Sequence, residues 1–290
     1  MSLLAPAFLE VLETLRIAAG RATFSPGGGA VHTRGRGASI EFVDHRPYQS
    51  GDDIRYLDRH AYARLRRLHV KLFAVDQQVT VRFLIDASAS MAYGTPPKMA
   101  LARSIALALG VVALAGGDQV QLGVFSNGRL EWHPTIRGRH EAERLLDCLQ
   151  AIEPSGRTAL ASALLAPDSR VLGPGLLVAI SDWMTDPVAV SLLRALGREV
   201  LGLHLLAPEE LEPERLGSGA YRLISAESGR EMDVSLSRRS SAQYAEALGS
   251  WVQEIKERFA EQGCLYLMAR SDRNVEELVL EDLRSLGVVR

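Results

Sequence analysis

The segment from Val79 to Met91 constrains the fold of this chain more than any other stretch. An apolar run, Val81 to Ile85, ends abruptly in Asp86, Ser88 and Ser90. Because the run has no strict polar alternation, it predicts a strand covered on both faces, as in a parallel sheet flanked by helices. Ligands of open α/β sheets gather at the carboxyl ends of such strands. The segment therefore predicts a strand that delivers three side-chain oxygens to a binding crevice.

Oxygens at alternate positions of a turning loop suit a hard divalent cation. Mg²⁺ and Mn²⁺ prefer octahedral oxygen coordination and retain waters. A metal held mainly by neutral hydroxyls stays electrophilic, and it keeps a position that a carboxylate of another molecule can fill. Asp, Ser and Ser at this spacing also form Asx and Ser turns that close strands. This segment by itself leaves both interpretations open.

Two further segments place a side-chain oxygen in a loop at the end of a predicted strand or at the start of a predicted helix. Thr158 lies in the polar, Gly-containing loop 155–160, directly before an apolar helical stretch. Asp182 follows a second buried-strand run, Leu176 to Ser181. Each of these two residues is alternatively the N-cap of the helix that follows it.

The set Asp86, Ser88, Ser90, Thr158 and Asp182 resembles the metal-ion-dependent adhesion site of von Willebrand factor A-type domains. All five positions match in order. The resemblance implies that both serines bind the metal directly and that the threonine binds it directly or through water. It implies that the two aspartates act mostly through waters. A motif match is a hypothesis that its structural context must confirm.

Large side chains lie beside these candidate ligands. Aromatic residues, Met and Arg are enriched at the cores of protein interfaces. We therefore expect a partner-binding surface around the metal formed by Met91, Tyr93, Arg157, Trp183 and Met184. For Met91 and Trp183, inward packing beneath the loops is the alternative.

The remainder of the chain alternates predicted helices and strands. This alternation predicts an α/β fold: a doubly wound, mostly parallel six-stranded sheet with one antiparallel edge. We assign residues 79–290 to this von Willebrand A-like domain, with a hairpin insertion at about 207–239 that Pro and Gly punctuate. Residues 1–78 are predicted to form an N-terminal helix from Pro6 to Ala19, a Gly27–Gly29 linker and a charged β-containing extension packing on the main domain.

The charged extension, 34–73, carries a second resemblance. Ile40-Glu41-Phe42, Arg46-Pro47-Tyr48 and Gly51-Asp52-Asp53-Ile54-Arg55 resemble the signature of a bacterial family of unknown function with a von Willebrand A-type domain. The family's Ile-Asp-Trp is replaced here by Leu57-Asp58-Arg59. Genes of that family commonly lie beside those of MoxR-type AAA+ ATPases, so the resemblance implies an adaptor for such an ATPase. The acidic and basic residues of the extension fit ion pairs that hold it in place, or a second binding surface.

Composition narrows the classes of partner and compartment. A net charge of −2 gives no basis for a nucleic-acid or anionic-membrane partner. The only cysteines, Cys148 and Cys264, lack zinc-ligand spacing and fit a reducing cytoplasm. The longest apolar segment, Ile105 to Ala115, falls short of the ~20 residues that span a bilayer. No signal peptide is evident, so we expect a cytoplasmic protein.

Motifs of known enzyme classes are absent from the sequence. The chain has no P-loop, no Gly-x-Ser-x-Gly elbow and no His-Glu-x-x-His helix. We therefore expect a non-enzymatic, Mg²⁺- or Mn²⁺-dependent protein-binding module. A metal-assisted phosphatase or hydrolase that uses the same five oxygens remains the alternative. If the metal face is the contact surface, association with the partner is expected to survive mutation of the 207–239 insertion.

Overall fold

The structure is a computed structural model that describes residues 3–18, 40–49, 57–75, 78–165, 175–184, 187–197 and 199–290. Its contacts divide the chain into two compact units. The larger unit contains residues 1–21 and 79–290, and the smaller contains residues 22–78. The N-terminal helix thus belongs to the larger unit. The predicted Gly27–Gly29 linker lies outside the described residues.

The described helices and strands follow one another along the chain in this order: α1 (Pro6–Thr14), β1 (Ile40–Pro47), α2 (Arg59–Leu65), β2 (His69–Val75), β3 (Thr80–Asp86), α3 (Lys98–Ala115), β4 (Gln119–Ser126), β5 (Arg129–Trp132), β6 (Ile136–Arg137), α4 (Ala142–Gln150), α5 (Leu160–Leu165), β7 (Gly175–Ser181), α6 (Val188–Leu193), β8 (Glu199–Leu206), α7 (Pro208–Leu211), β9 (Gly219–Ile224), β10 (Glu231–Leu236), α8 (Arg238–Glu261), β11 (Leu265–Arg270) and α9 (Val275–Glu277). Short 3₁₀ turns span Ala89–Ala92, Arg139–Glu141 and Pro213–Leu216, and a π-helical turn spans Leu278–Leu283.

The central sheet confirms the predicted fold class. Its strand order is β11-β8-β7-β3-β4-β5, and the two-residue strand β6 also pairs with β4. Strands β11, β8, β7, β3 and β4 are parallel, whereas β5 and β6 run antiparallel to β4. From β3 the chain proceeds to β4 on one side and later returns to β7 on the other. The strand order therefore reverses at β3, which places a ligand crevice at its carboxyl end.

Helices cover both faces of the sheet. Residues of α1, α3 and α4 form one apolar cluster, and residues of α5, α6 and α8 contribute to a second. Among the described helices, α3 alone is long enough and apolar enough to cross a membrane. However, 78% of this helix is buried within the protein, as in the core helix of a globular domain. Its apolar residues, which include Ile105, Leu109 and Val112, belong to the first cluster. Helix α3 is therefore the central helix of this layer.

The smaller unit pairs β1 and β2 in an antiparallel ribbon with α2 between them in sequence. Asp58 begins α2 by accepting hydrogen bonds from the backbone N–H groups of His60 at 2.8 Å and Ala61 at 3.0 Å. This carboxylate is thus an N-cap. The other acidic residues of the predicted ion pairs, Asp52 and Asp53, lie outside the described residues.

The predicted insertion contains the antiparallel hairpin β9–β10, which forms a separate two-stranded sheet. Its strand residues are mostly exposed, including Ile224 and Met232. After the hairpin, Ser237 caps α8 by accepting from the backbone N–H of Ser240. The chain then returns to the central sheet through α8.

Candidate metal site

Asp86 ends β3 and lies fully buried beneath the loop that follows. Its Oδ1 accepts a hydrogen bond from the backbone N–H of Ser88 at 2.8 Å, and its Oδ2 accepts from the hydroxyl of Ser181 at 2.6 Å. Burial, reinforced by the nearby carboxylate of Asp182, raises the pKa of Asp86 to about 7. Hydrogen bonds therefore orient this carboxyl group, and no positively charged side chain forms an ion pair with it in the part of the chain that the structure describes.

The hydroxyls of Ser88 and Ser90 face each other across the loop with their Oγ atoms 3.0 Å apart. The Ser90 hydroxyl also hydrogen-bonds to the side chain of Asp182. Asp182 follows β7 and is fully buried, and its Oδ1 accepts from the backbone N–H of Met184 at 3.2 Å. Two parallel strands thus bring four of the five predicted ligand residues to one edge of the sheet.

Lys98, the first residue of α3, supplies the positive charge of this region. Its fully buried Nζ lies 2.9 Å from Asp182 Oδ2 and 2.6 Å from Glu210 Oε1. Desolvation lowers the pKa of Lys98, but the two carboxylates outweigh it and leave this pKa above its usual value. For Asp182, desolvation alone would raise the pKa of the carboxyl group. The nearby ammonium of Lys98 outweighs this effect, so the pKa of Asp182 lies below its usual value. Lys98 and Asp182 are therefore a charged, buried ion pair.

The loop that carries Thr158 is joined to the β3 loop by backbone hydrogen bonds. The N–H of Ser155 donates to the carbonyl of Ala87 at 2.7 Å, and the N–H of Ala89 donates to the carbonyl of Gly156 at 3.1 Å. Gly156 has φ +76°, and a Cβ there would collide with the side-chain amide of Asn127. A glycine is needed here because both the left-handed backbone and the close approach exclude a side chain.

The hydroxyl of Thr158 does not contact another predicted ligand in the described hydrogen bonds. It donates to Glu227 Oε1 at 2.7 Å, and the backbone N–H of Thr158 donates to the same oxygen at 3.2 Å. Glu227 lies in the turn between β9 and β10. The insertion hairpin thus reaches the candidate site, which the sequence did not predict.

The donor set fits a hard divalent cation. Mg²⁺–oxygen bonds of about 2.1 Å place neighbouring octahedral ligands about 3.0 Å apart, which is the separation of the Ser88 and Ser90 hydroxyls. The carboxyl groups of Asp86 and Asp182 add negative charge behind those hydroxyls. Among the described residues no three His, Cys, Asp or Glu side chains form a metal-binding group. The site is therefore one of hydroxyls backed by two carboxylates.

The residues predicted to contact a partner divide into two groups. Tyr93 is 44% exposed and Met184 is 42% exposed, and Arg157 is exposed as well. Met91 and Trp183 are fully buried, so their predicted place on a partner-binding surface is wrong. The indole of Trp183 packs edge-on against Phe259, and its Nε1 donates to the carbonyl of Leu203 at 3.0 Å. These two side chains support the loops from below.

Sequence reasoning missed four residues of the site. Ser181 and Lys98 left weak signals: Ser181 immediately precedes Asp182, and Lys98 is a lone lysine at the start of an apolar helix. Glu210 and Glu227 left none, because both lie in the Pro- and Gly-rich insertion among other acidic and polar residues. Only the fold brings them to the carboxyl edge of the sheet.

Comparisons with known proteins identify relatives of this chain. Residues 44–250 match the family described as "Protein of unknown function DUF58". An uncharacterized protein of Mycobacterium tuberculosis, Rv1480, is 27% identical over 248 residues, which cover 82% of this chain and 77% of that protein. A Mycobacterium bovis protein, Mb1516, matches equally.

Two solved structures are similar to part of this chain. The conserved hypothetical protein BatB from Bacteroides thetaiotaomicron has a TM-score of 0.41 at 15% identity and covers 72% of this chain and 98% of its own. The SpRpn10 VWA domain has a TM-score of 0.38 at 10% identity and covers 70% of this chain and 94% of its own. Both scores are below 0.5, so the assignment of the fold depends on the chain's own strand order.

Proposed function

We propose that this chain, which belongs to the DUF58 family of proteins of unknown function, is a divalent-metal-dependent protein-binding module. Ser88, Ser90 and Thr158 would hold Mg²⁺ or Mn²⁺, with Asp86 and Asp182 behind them. When bound, the metal supplies a positive charge with a coordination position that a carboxylate of a partner can fill. The partner we propose is a MoxR-type AAA+ ATPase or a protein that it acts on.

The observation that carries this proposal is the convergence of oxygens at the switch point of the sheet. The Ser88 and Ser90 hydroxyls lie 3.0 Å apart, and the Asp86 and Asp182 carboxyl groups are both fully buried behind them. Buried carboxyl groups are normally paired or coordinate metals. Lys98 pairs with Asp182 and Glu210 but makes no described contact with Asp86. The arrangement therefore supports a second cation at the hydroxyls.

The exposed residues around the site suit a protein partner. Tyr93, Arg157 and Met184 are exposed and lie within three residues of a predicted ligand in the sequence, and they are an aromatic residue, an arginine and a methionine, types enriched at interface cores. A metal–carboxylate contact within such a surface adds specificity and orientation more than area.

A non-catalytic role is part of the proposal. Lys98 has its pKa raised by Asp182 and Glu210 and so remains protonated near neutral pH. A protonated ammonium cannot act as a general base, so Lys98 does not take a proton from Ser88 or Ser90.

Calorimetric titration with Mg²⁺ and Mn²⁺ tests the proposal. We expect wild-type protein and the matched control Ser285→Ala, an exposed serine near the C-terminus, to bind the metal. Ser88→Ala is expected to bind at least tenfold more weakly, since the loss of a ligand contact of about 1.4 kcal/mol corresponds to that factor. The purified MoxR-type ATPase of the same genome should associate with wild type in Mg²⁺ and dissociate in EDTA. Metal binding unaffected by Ser88→Ala, or association indifferent to EDTA, would contradict the proposal.

A further inference from the structure

The tip of the β9–β10 hairpin contacts Thr158, one of the predicted metal ligands. Its six-residue turn, 225–230, is closed by hydrogen bonds from the N–H of Ser225 to the carbonyl of Arg230 and from the N–H of Gly229 to the carbonyl of Ser225, both 2.9 Å. Within this turn only Glu227 is partly buried, and its neighbours are exposed. One side chain of the turn is therefore inserted into the protein.

Glu227 uses one carboxylate oxygen for both of its described contacts. Oε1 accepts from the Thr158 hydroxyl at 2.7 Å and from the Thr158 backbone N–H at 3.2 Å. The Thr158 loop is itself bonded to the β3 loop through the Ala89 N–H and the Gly156 carbonyl, at 3.1 Å. Ala89 lies between the two serine ligands in sequence. The Glu227 carboxylate is thus linked to the β3 loop through the loop that carries Thr158.

The Glu227 side chain has spare acceptor capacity next to Thr158. Both hydrogen bonds from Thr158 go to Oε1, and Oε2 has no partner among the described hydrogen bonds and ion pairs. A neutral side chain such as Gln would accept the same two hydrogen bonds from Thr158. A cation bound next to Thr158 would favour the negatively charged Glu227 over a neutral side chain at this position.

We propose that Glu227 is an internal ligand of the metal site, which fills the coordination position that a partner carboxylate must take. This inference rests on the proposed function. The hairpin is suited to leave the site, because an isolated two-stranded ribbon with exposed faces is only marginally stable on its own. A partner then competes with a tethered carboxylate, whose effective concentration is on the order of millimolar. The hairpin would select partners that offer more than one carboxylate contact.

Water-proton relaxation of bound Mn²⁺ tests the inference, with E227Q against the matched control E231Q. Glu231 lies on the same hairpin, is exposed, and has its Oε2 3.6 Å from the guanidinium of Arg222. We expect E227Q to bind Mn²⁺ with more metal-bound water than wild type, whereas E231Q resembles wild type. Acetate should displace that water in E227Q at concentrations roughly tenfold lower than in wild type, since no tethered competitor remains.

Hydrogen exchange gives a readout that does not depend on metal-bound water. Added Mg²⁺ should slow exchange in the 225–230 turn of wild type and E231Q, and should leave the turn of E227Q unchanged.

The outcomes separate the two proposals. If wild type and E227Q bind Mn²⁺ with equal affinity and equal bound water, and Ser88→Ala loses the ion, the metal site stands and the internal ligand is refuted. If only E227Q binds Mn²⁺, Glu227 blocks the site and is no ligand. If no variant binds Mn²⁺, both proposals fall.

Discussion

Lys98 offers the sharpest test of how the site is held together. Its fully buried ammonium lies 2.9 Å from Asp182 and 2.6 Å from Glu210. Lys98→Met keeps most of the side-chain volume but leaves the fully buried Asp182 carboxylate without its counter-ion. Removal of one partner from a buried ion pair costs about 3–5 kcal/mol. Glu210 adds less to this loss, because its side chain is 16% exposed and still accepts from the Ala207 N–H.

The melting temperature of Lys98→Met should fall accordingly. For a unit of this size, 1 kcal/mol corresponds to about 2–4 °C, so we expect a decrease of roughly 6–20 °C by calorimetry in EDTA. Glu210→Gln is the graded comparison. It keeps the Lys98–Asp182 pair and should cost about 1–2 kcal/mol through the weaker hydrogen bond alone.

Addition of Mg²⁺ distinguishes an electrostatic cause from lost packing. In Lys98→Met the unpaired Asp182 is free to stabilise a bound cation, so the variant should bind Mg²⁺ more tightly than wild type. Each tenfold gain in affinity adds about 1.4 kcal/mol of stability at saturating metal. Mg²⁺ should therefore stabilise Lys98→Met by more than it stabilises wild type.

Two results would refute this reasoning. A loss below about 1 kcal/mol in EDTA would show that Lys98 and Asp182 are not a stabilising pair, since even an exposed pair contributes up to that amount. Equal stabilisation of wild type and Lys98→Met by Mg²⁺ would show that Asp182 does not face the metal.

Three further predictions concern the loops and the chemistry. Asp86→Ala should abolish Mg²⁺ binding in calorimetry, and metal affinity equal to that of wild type would contradict the assignment. Circular dichroism should show that the variant is folded. Its free energy of unfolding should fall by about 1–3 kcal/mol, because two hydrogen-bond donors lose their acceptor. Gly156→Ala should cost about 1–3 kcal/mol and weaken Mg²⁺ binding, because its φ is +76° and its Cβ would meet Asn127. The control Gly249→Ala in α8, where a Cβ meets nothing within 4 Å, should be neutral or stabilising. Purified protein should hydrolyse neither nucleotides nor simple phosphoesters, and turnover that disappears in Ser88→Ala would favour a hydrolase.

The fold was predictable wherever local sequence patterns decide it. Helix α3 contains the long apolar segment that the sequence shows, Ile105 to Ala115, and it begins at Lys98 directly after Pro97. The turn at Asn127 and Gly128 has positive φ at both residues, as an Asn-Gly hairpin requires. Helix α1, by contrast, ends at Thr14 instead of Ala19, because Ile17 bridges to Val289 near the C-terminus. That pairing lies beyond the reach of any local pattern.

The site was predictable only where it follows from the ends of strands. Asp86 ends β3 and Asp182 directly follows the adjacent parallel strand β7, so the topology itself brings them together. The contacts of Lys98 with Asp182 and Glu210 span 84 and 112 residues, and the contact of Thr158 with Glu227 spans 69. Such partners depend on where a helix starts and where a hairpin turns. Trp183 has φ +52°, a reversal that the sequence does not indicate and that accompanies the burial of its ring.

In the proposed module, Lys98 and Glu227 would together keep the site assembled before a partner arrives. The Lys98 ammonium pairs with the buried Asp182 carboxylate without any metal. A preformed site loses little conformational entropy when it takes up an ion. The same neutralisation reduces the charge that attracts the ion, which leaves affinity to depend on a further carboxylate. Glu227 is the carboxylate that this chain brings to Thr158. If both roles are correct, Lys98→Met should raise the Mn²⁺ affinity and E227Q should lower it, and a change in the same direction for both variants would contradict one of the two roles.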